Sequence, residues 1–324
     1  MKFLRLNSHD PYLNLAIEEY LFKYERGDII MLWQNEPSVI IGKNQNAYCE
    51  VNSDYAKSHG IKTVRRVTGG GAVYHDLGNL NYSFISDRGG EEIDFASFSL
   101  PIIEAVGSLG VKLILGGRND LLGPDGRKVS GAAQRREGGR VLHHGTLLID
   151  TDFDSLCQVL TPDEEKVKSK AVGSVRARVG NLSQYIPDFP GVNAIIDRIE
   201  ENIKDRQQTE DYILSYNEEI NELYKRNSSQ KWIYPDREYL SRYSISKKKR
   251  YDFGLVEIRL DMQGEVIKSA EILGDFFGNR DTRDLTGRLV AKTLFEAAEF
   301  IKTQPVSEYV FGMTPGELSL LLSQ

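Results

Sequence analysis

The chain has 324 residues, 40% of them hydrophobic and 27% charged, which suits one large and one small domain and excludes a disordered or fibrous protein. Its net charge of −6 argues against a general nucleic-acid binder, which is usually basic. Cys49 and Cys157 stand far apart, with no CxxC or Cys/His spacing. A disulfide scaffold or zinc site is thereby disfavoured and a reducing compartment favoured.

The opening MKFLRLNSHDPY lacks the apolar run of a signal peptide. No stretch approaches the roughly 20 apolar residues of a membrane span, so the expectation is a cytoplasmic protein with no membrane partner. Asp10-Pro11 opens the first helix as N-cap and first-turn proline. Leu13, Ala16, Ile17, Tyr20, Leu21 and Tyr24 then recur at helical spacing up to Gly27. Strands are predicted over Ile29 to Gln34 and Ser38 to Gly42. A short helix capped by Asn52 or Ser53 runs to His59, and Gly60 closes it. Ile61 to Val67 reads as a strand entering Gly69-Gly70-Gly71. Ala72 to Tyr74 and Leu80 to Ile85 read as strands again. A helix from Phe95 to Leu109 precedes a strand at Val111 to Leu115.

Lys128 to Ile149 is a predicted β-hairpin turning at Gly138-Gly139. Helices follow at Val192 to Asp205 and Tyr216 to Lys225. Near Tyr239 the composition changes, and SRYSISKKKR, polar and basic, reads as a linker. Phe253 to Leu260 and Val266 to Leu273 form a second hairpin around Gly264. Two helices, near Arg283 to Lys302 and Pro315 to Leu322, complete the chain. Hairpins mixed with helices favour an α+β fold over a parallel doubly wound sheet. The expected division is a domain over 1–243, a linker at about 239–250 and a small α+β domain over 250–324.

The densest chemical signal is Arg65-Arg66-Val67-Thr68-Gly69-Gly70-Gly71-Ala72-Val73-Tyr74-His75-Asp76. Three glycines after a strand let the backbone approach a ligand and turn several N–H groups toward it. Such a nest suits phosphate or carboxylate, and two guanidinium groups match oxyanions. The run is neither a Walker A loop nor a GxGxxG opening a helix. A tight turn with surface arginines is the plainer alternative.

A second cluster, Gly126-Arg127-Lys128-Val129-Ser130-Gly131, sets a lysine on a strand where its charge could stabilise an α-phosphate. An ordinary exposed lysine is the competing reading. A third is His143-His144-Gly145-Thr146. Neighbours on a strand face opposite ways, so the two histidines cannot easily share a metal. One of them is expected to be packed and hydrogen-bonded, leaving Thr146 as the better ligand candidate. Cys157, in the apolar helical stretch Phe153 to Leu160, is expected to be a small buried hydrophobe. Cys49 follows an expected surface turn.

In order, RRVTGGGAVYHDLGN, GRND, GRKVSGAAQRR, HHGTLL and SVRARVGNL resemble the signature of the lipoate–protein ligase family. The likeness runs from about Leu15 to Leu182. Gly264 and ILGDFF (Ile272 to Phe277) carry a weaker likeness to that family's small accessory domain. Where the family carries a Trp-x-Tyr-Gly-like string, Lys231-Trp232-Ile233-Tyr234 leads here to Pro235-Asp236.

The resemblance implies a catalytic domain related to biotin ligases, with a mixed, largely antiparallel sheet and flanking helices, followed by a mobile small domain. It implies ATP-dependent activation of lipoate to lipoyl-AMP, release of pyrophosphate, and transfer to a lysine of apo lipoyl domains. Acceptors would be E2 subunits of 2-oxoacid dehydrogenases and the glycine cleavage H protein. Arg66, Gly71, Ala72, Val73, Tyr74, Asn119, Asp120 and Lys128 match ATP or adenylate positions. Trp33, Arg65, Gly70, His75, Asn79, Lys128, Ser130 and Thr146 match the lipoyl pocket. Lys128 is the catalytic candidate, touching both the lipoyl carbonyl and the phosphate. Asp120 is the candidate ligand for Mg²⁺, by ligand type as well as position. Lys166 to Asn181 matches a loop that closes on the adenylate.

Lys166, Lys168, Lys170, Arg176 and Arg178 could also meet an acidic acceptor surface, unless they simply form a solvated charged loop. The chain is expected to act as a monomer, with ATP and Mg²⁺ as substrate and metal, no tightly bound group and no nucleic acid. The rivals are a cysteine-dependent octanoyl- or lipoyl-transferase of the same fold, a biotin ligase, and a non-catalytic lipoate or lipoyl-domain binder. SVRARVGNL has no cysteine, which speaks against the first.

Overall fold

A computed structural model describes residues 1–87, 94–117, 119–160, 177–234 and 242–323. It has two compact units, one of 1–40, 50–64 and 73–229, the other of 41–49, 65–72 and 230–324. Elements follow one another as β1 (Lys2–Arg5), α1 (Pro11–Lys23), β2 (Ile29–Trp33), β3 (Ser38–Ile41), α2 (Ala47–Glu50), α3 (Ser53–Ser58), β4 (Lys62–Arg65), β5 (Val73–His75), β6 (Asn79–Ser86) and α4 (Phe95–Gly107). Next come β7 (Ile114–Gly116), β8 (Asp120–Leu122), β9 (Lys128–Glu137), β10 (Arg140–Leu148), α5 (Phe153–Val159), α6 (Val192–Gln207), β11 (Glu210–Asp211), α7 (Glu218–Asn227) and α8 (Gln230–Ile233). The remainder is β12 (Ile245–Tyr251), β13 (Gly254–Gln263), β14 (Val266–Gly274), α9 (Thr282–Thr286), α10 (Leu294–Ile301), α11 (Val306–Tyr309) and α12 (Pro315–Ser323).

The first unit is built on an eight-stranded sheet ordered β11-β1-β2-β6-β10-β9-β8-β7. β1 pairs parallel with β11 and β2, and the remaining neighbours in this sheet pair antiparallel. The fold is therefore α+β with a largely antiparallel sheet. Gly138 (φ 58°) and Gly139 (φ 80°) turn β9 into β10 in the left-handed region that only glycine adopts at little cost. Asp10 caps α1 by accepting from the Tyr12 N–H at 3.0 Å, with Pro11 in the first turn. Asn52 and Asp94 cap α3 and α4 in the same way.

One face of this sheet is apolar. Ile30, Leu32, Leu80, Tyr82, Phe84 and Leu147 pack there with Ile102, Ala105 and Val106 of α4 and with Ile195, Ile196, Ile199 and Ile203 of α6. The α6 residues recur every three or four positions, so one stripe of that helix is buried. His143 belongs to the same face. It is fully buried, with rings of Phe98 and Tyr82 stacked 5.4 and 6.0 Å away and Gln134 Nε2 2.9 Å from its Nδ1. The expectation of one packed, hydrogen-bonded histidine is met here.

The second unit pairs the antiparallel sheet β12-β13-β14 with α9 to α12 around a core of Val256, Ile258, Leu260, Phe276, Leu285 and Leu318, among others. Gly264 (φ 62°) turns β13 into β14. Thr293 and Glu296 close α10 with a reciprocal capping box.

Several elements differ from the expectation. β1, β8 and β11 are short strands with no readable alternation, and each gains its structure from pairing with a neighbour. The run predicted as a linker supplies β12, whose residues pair one for one with β13. A lysine-rich edge strand is a common guard against unwanted pairing. The single helix predicted over Arg283 to Lys302 is broken into α9, a 3-10 turn at Gly287–Leu289, and α10. Backbone bonds from Ala291 N to Ile267 O and from Ile267 N to Lys292 O draw that segment toward β14, and Ala291 takes φ 64°.

Burial pushes the His143 pKa down to about 3. Between that value and the unfolded value of about 6.5 the unfolded chain binds more protons, so stability rises with pH and falls on acidification through this window. A His143→Gln variant should be less stable at pH 7, by about 1–2 kcal/mol. Its denaturant midpoint should also fall less than that of the wild type between pH 6 and 4.

Candidate active site

Register along the central strands decides which side chains share a face. Trp33 of β2 stands opposite Asn81 of β6, and Asn81 stands opposite Thr146 of β10. Thr146 Oγ1 lies 3.4 Å from Gly131 N of β9, and Gly131 stands opposite Asp120 of β8. Residues directly opposed across a sheet point the same way. A row of Trp33, Asn81, Thr146, Gly131 and Asp120 therefore crosses the face away from the apolar core. Along β6 the sequence Asn79-Leu80-Asn81-Tyr82-Ser83-Phe84 alternates strictly, sending Asn79, Asn81 and Ser83 to this polar face.

Lys128 enters this face at the start of β9. Its Nζ lies 2.7 Å from Asp120 Oδ1, both side chains about one-third exposed. A shift in register between Leu121 and Leu122 puts the pairing out of step there. Such bulges re-aim side chains. A Cβ added at Gly131 would sit 2.7 Å from Lys128 Nζ, so glycine leaves the lysine its path over the strand. The backbone of Lys128 is held on its other side by Arg178 O at 2.7 Å and Gly180 N at 2.9 Å. Asn119 faces Ala132, with Nδ2 2.6 Å from its carbonyl.

The Trp33 indole is 3% exposed. Its N–H donates to Ser83 Oγ at 3.0 Å, and the His75 ring stands edge-on at 6.1 Å. Ser83 Oγ donates to buried Glu18, whose carboxylate also meets His144 Nδ1 at 2.8 Å. Asn35 Nδ2 lies 3.0 Å from His75 Nδ1. Asn79 Nδ2 donates to Asn81 Oδ1 at 2.9 Å, which leaves Asn79 Oδ1 and Asn81 Nδ2 buried without a partner among the described residues. Buried polar atoms of this kind suit a polar ligand or ordered water. Tyr74 is buried, and burial pushes its hydroxyl up to about 12.

Of the predicted lipoyl-pocket residues, Trp33, His75, Asn79, Thr146 and Lys128 belong to this unit, and four of these, His75 apart, lie on or beside the polar row. Ser130 is placed differently. It is 1% exposed and sits on the core face, its Oγ 3.1 Å from Tyr82 Oη. The period of two that brings Thr146 to the polar face carries Ser130 to the other side. Sequence reading overlooked Asn81, Ser83 and Glu18. The alternation along β6 was the available signal for the first two, whereas Glu18 looks like one more acidic residue of an exposed helix.

Arg65, Arg66, Gly69, Gly70, Gly71 and Ala72 belong to the second unit, while Val73 and Tyr74 open β5 in the first. Arg66 is 6% exposed and donates to Thr68 Oγ1, Gly69 O and Gly71 O at 2.7–2.9 Å, bracing the glycine loop from within. Gly70 has φ 92°, and its N–H donates to Phe276 O at 3.1 Å. A Cβ at Gly42 would fall 2.0 Å from Gly70 O.

The Arg65 guanidinium makes five bonds to the carbonyls of Gly42, Lys43, Gln45, Trp232 and Ile233. The buried charge thus serves the backbone, and burial pulls its pKa down to about 10. The pocket role expected of Arg65 gives way to that of a clamp, because few donors remain for a ligand.

Lys166, Lys168, Lys170 and Arg176, with most of the expected closing loop, lie outside the described residues. Cys157 is half-buried and Cys49 exposed, so the expected buried setting of Cys157 is not found. The α5 stripe that meets the core is carried by Val159. Among the described residues no group of three or more His, Cys, Asp or Glu could hold a metal, and no helix is long and apolar enough to cross a membrane.

Residues 10–204 match the lipoyl protein ligase A/B catalytic domain, and 241–322 match the bacterial lipoate protein ligase C-terminus. Lipoate-protein ligase LplJ of Bacillus subtilis is 38% identical over 295 residues, 88% of each chain. Among solved structures, Plasmodium falciparum LipL1 in complex with lipoate superposes with a TM-score of 0.76 at 27% identity, covering 94% of this chain and 95% of that one. A bi-partite lipoate protein ligase from Thermoplasma acidophilum, described with its E2 lipoyl domain, gives 0.61 at 30% identity over 72% and 95%. Lipoate-protein ligase A bound with ATP gives 0.58 at 28% identity over 71% and 97%.

Substituting Gly42 by alanine should lower the melting temperature markedly, at a cost of roughly 2–4 kcal/mol, because the new methyl meets backbone and not a flexible side chain. Thermal unfolding of Gly42→Ala beside Gly71→Ala, where a Cβ meets nothing within 4 Å, is the direct comparison.

Proposed function

The chain belongs to the lipoate–protein ligase family, and from that premise we propose how its residues divide the reaction. It is an ATP-dependent lipoate–protein ligase. The observation that carries the residue assignment is the row of Trp33, Asn81 and Thr146 leading to the Lys128–Asp120 pair.

In the first half-reaction a lipoate carboxylate oxygen attacks the α-phosphorus of ATP. The new P–O bond forms as the bond to the bridging oxygen breaks, and pyrophosphate leaves. Such chemistry needs two anions brought together, their growing charge neutralised, and water excluded. Lys128 supplies a positive charge that can contact both the acyl carbonyl and the α-phosphate. Asp120 holds that ammonium in place beforehand, since a lysine pinned by an ion pair loses less freedom on binding. Mg²⁺ arrives with ATP as substrate. Asp120, next to Asn119, is its candidate protein ligand, because such an ion takes one or two carboxylates and draws its remaining ligands from phosphates and water. Arg66, Gly71, Ala72, Val73 and Tyr74 are assigned to the nucleotide.

The acyl chain is assigned to the slot walled by Trp33 and His75. Asn79 and Thr146 offer polar contacts toward its head. Glu18 and Ser83 orient the Trp33 indole through the hydrogen bonds above. Gly70 is assigned to lipoyl binding.

In the second half-reaction the neutral ε-amine of an acceptor lysine attacks the acyl carbonyl, the C–O bond to AMP breaks, and the amine loses its proton. The acceptors are proposed to be apo lipoyl domains of 2-oxoacid dehydrogenase E2 subunits and the glycine cleavage H protein. The Thermoplasma neighbour, described with its own E2 lipoyl domain, supports this class. A catalytic part over 1–243, an accessory part over 250–324, a cytoplasmic location and a monomeric enzyme complete the proposal.

The test is to incubate the protein with lipoate, Mg²⁺ and ATP, with and without an apo lipoyl domain, and to follow AMP and acceptor mass. Wild type should form lipoyl-AMP and add one lipoyl mass. Lys128→Ala should lose at least about a hundredfold in the rate of adenylation. Acceptor modification from an acyl-protein donor without ATP would overturn the reading in favour of a transferase. In the same assay Trp33→Ala should raise KM for lipoate more than it lowers kcat.

A further inference from the structure

The second unit contains a cavity of about 230 Å³ that none of these steps uses. Its ionisable lining is Lys43, Arg65, Lys231, Glu271, Asp281 and Arg283, four cations against two carboxylates. Asn46 lines it as well. Two buried atoms in this wall have no hydrogen-bond partner among the described residues, Asn46 Nδ2 and Glu271 Oε2. Asn46 is 6% exposed, and its Oδ1 already accepts from the Tyr48 N–H at 3.1 Å. The amide is therefore oriented, with its donor left over. Buried donors without acceptors are costly and need an occupant.

The excess of positive charge argues that the occupant is an anion. Asp281 is committed to Lys43 at 3.1 Å and Arg283 at 2.8 Å, and these cations hold its carboxyl below the usual range although burial opposes them. Arg65, which lends charge to the wall, spends its hydrogen bonds on backbone carbonyls. Glu271 is the group that would repel an anion. Burial pushes its carboxyl up to about 7, against the pull of Arg65 and Arg283. Near neutral pH it can therefore carry a proton, and a protonated Oε2 becomes a second donor on the same wall as Asn46 Nδ2. Protonation leaves the lining with four cations and one carboxylate.

We propose that this cavity is a binding site for a small oxyanion, a carboxylate or a phosphate-type group, held by Asn46 Nδ2 and the Glu271 carboxylic acid within a cationic wall and taken up together with a proton. The lining residues all belong to the second unit and Lys128 to the first, and the test reads anion binding directly, without ligase turnover.

Sulfate and acetate are suitable probes, because neither titrates between pH 6 and 8. Isothermal titration of the full-length protein at both pH values, in two buffers of different ionisation heat, reads affinity and proton uptake together. Affinity should fall about tenfold from pH 6 to pH 8, the factor that linkage to a group titrating near 7 requires. Close to one proton should be taken up per anion at pH 8. Glu271→Gln keeps a donor but cannot ionise, so it should bind equally at both pH values and as tightly as wild type at pH 6. Asn46→Asp keeps the bond to Tyr48 but replaces the donor with a charge, and it should lose binding at both.

Sulfate binding alone would point to a phosphate-type ligand, and acetate binding alone to a carboxylate. Absence of binding by both probes, or a pH dependence that survives Glu271→Gln, overturns the proposal. The proton count in wild type keeps it falsifiable even if a variant fails to fold.

Discussion

The strict alternation along β6 is the constraint on which the first unit depends. A strand with Leu80, Tyr82 and Phe84 on one side and Asn79, Asn81 and Ser83 on the other can occupy only one orientation in a sheet that is covered on both faces. A slip of one residue would bury three polar side chains against α4 and α6 and turn three large apolar ones toward the polar face. Once β6 is oriented, its antiparallel partners β2 and β10 follow. Their register then sets Trp33, Asn81 and Thr146 side by side. The candidate site is thus a by-product of the packing that makes the core.

The same rule separates residues that neighbour one another in sequence. His143 and His144 lie on opposite faces, the first among aromatic rings and the second against Glu18. Ser130 and Gly131 divide likewise, so that Ser130 meets Tyr82 and Gly131 clears the way for Lys128. A buried carboxylate at Glu18 is tolerable because Ser83 and His144 satisfy it. That polar cluster in turn fixes the indole of Trp33. Orientation by buried hydrogen bonds suits a pocket wall, since a side chain that is already held loses little freedom when a ligand arrives.

In the second unit the governing features are glycines and buried arginines. Arg66 holds the carbonyls of the glycine loop and Arg65 holds those of two further segments. Guanidinium groups suit this work because their planar fork offers five donors and stays charged under burial that would neutralise a lysine. Two adjacent arginines in an anion-binding string invite the reading that both touch the ligand. Here each also braces backbone, Arg65 the carbonyls of two further segments and Arg66 those of the glycine loop, whose shape its own proposed contact with the nucleotide requires.

The sequence by itself determined the class of fold, the long helices α1, α4 and α6, both hairpins and their glycine turns, and the family, because each of these is written in local spacing or in an ordered run of motifs. It also marked Lys128, Trp33, Asn79 and Thr146. Tertiary structure alone decided the short strands β1, β8 and β11, which have too few residues to show a period and exist through their neighbours. It likewise decided the break between α9 and α10, where backbone bonds to β14 outweigh helical propensity. The face on which Ser130 lies, the commitment of Arg65 to backbone carbonyls and the burial of Glu18 belong to this second group. Each depends on what stands across the sheet or across a loop, and the order of residues along one chain does not record that distance.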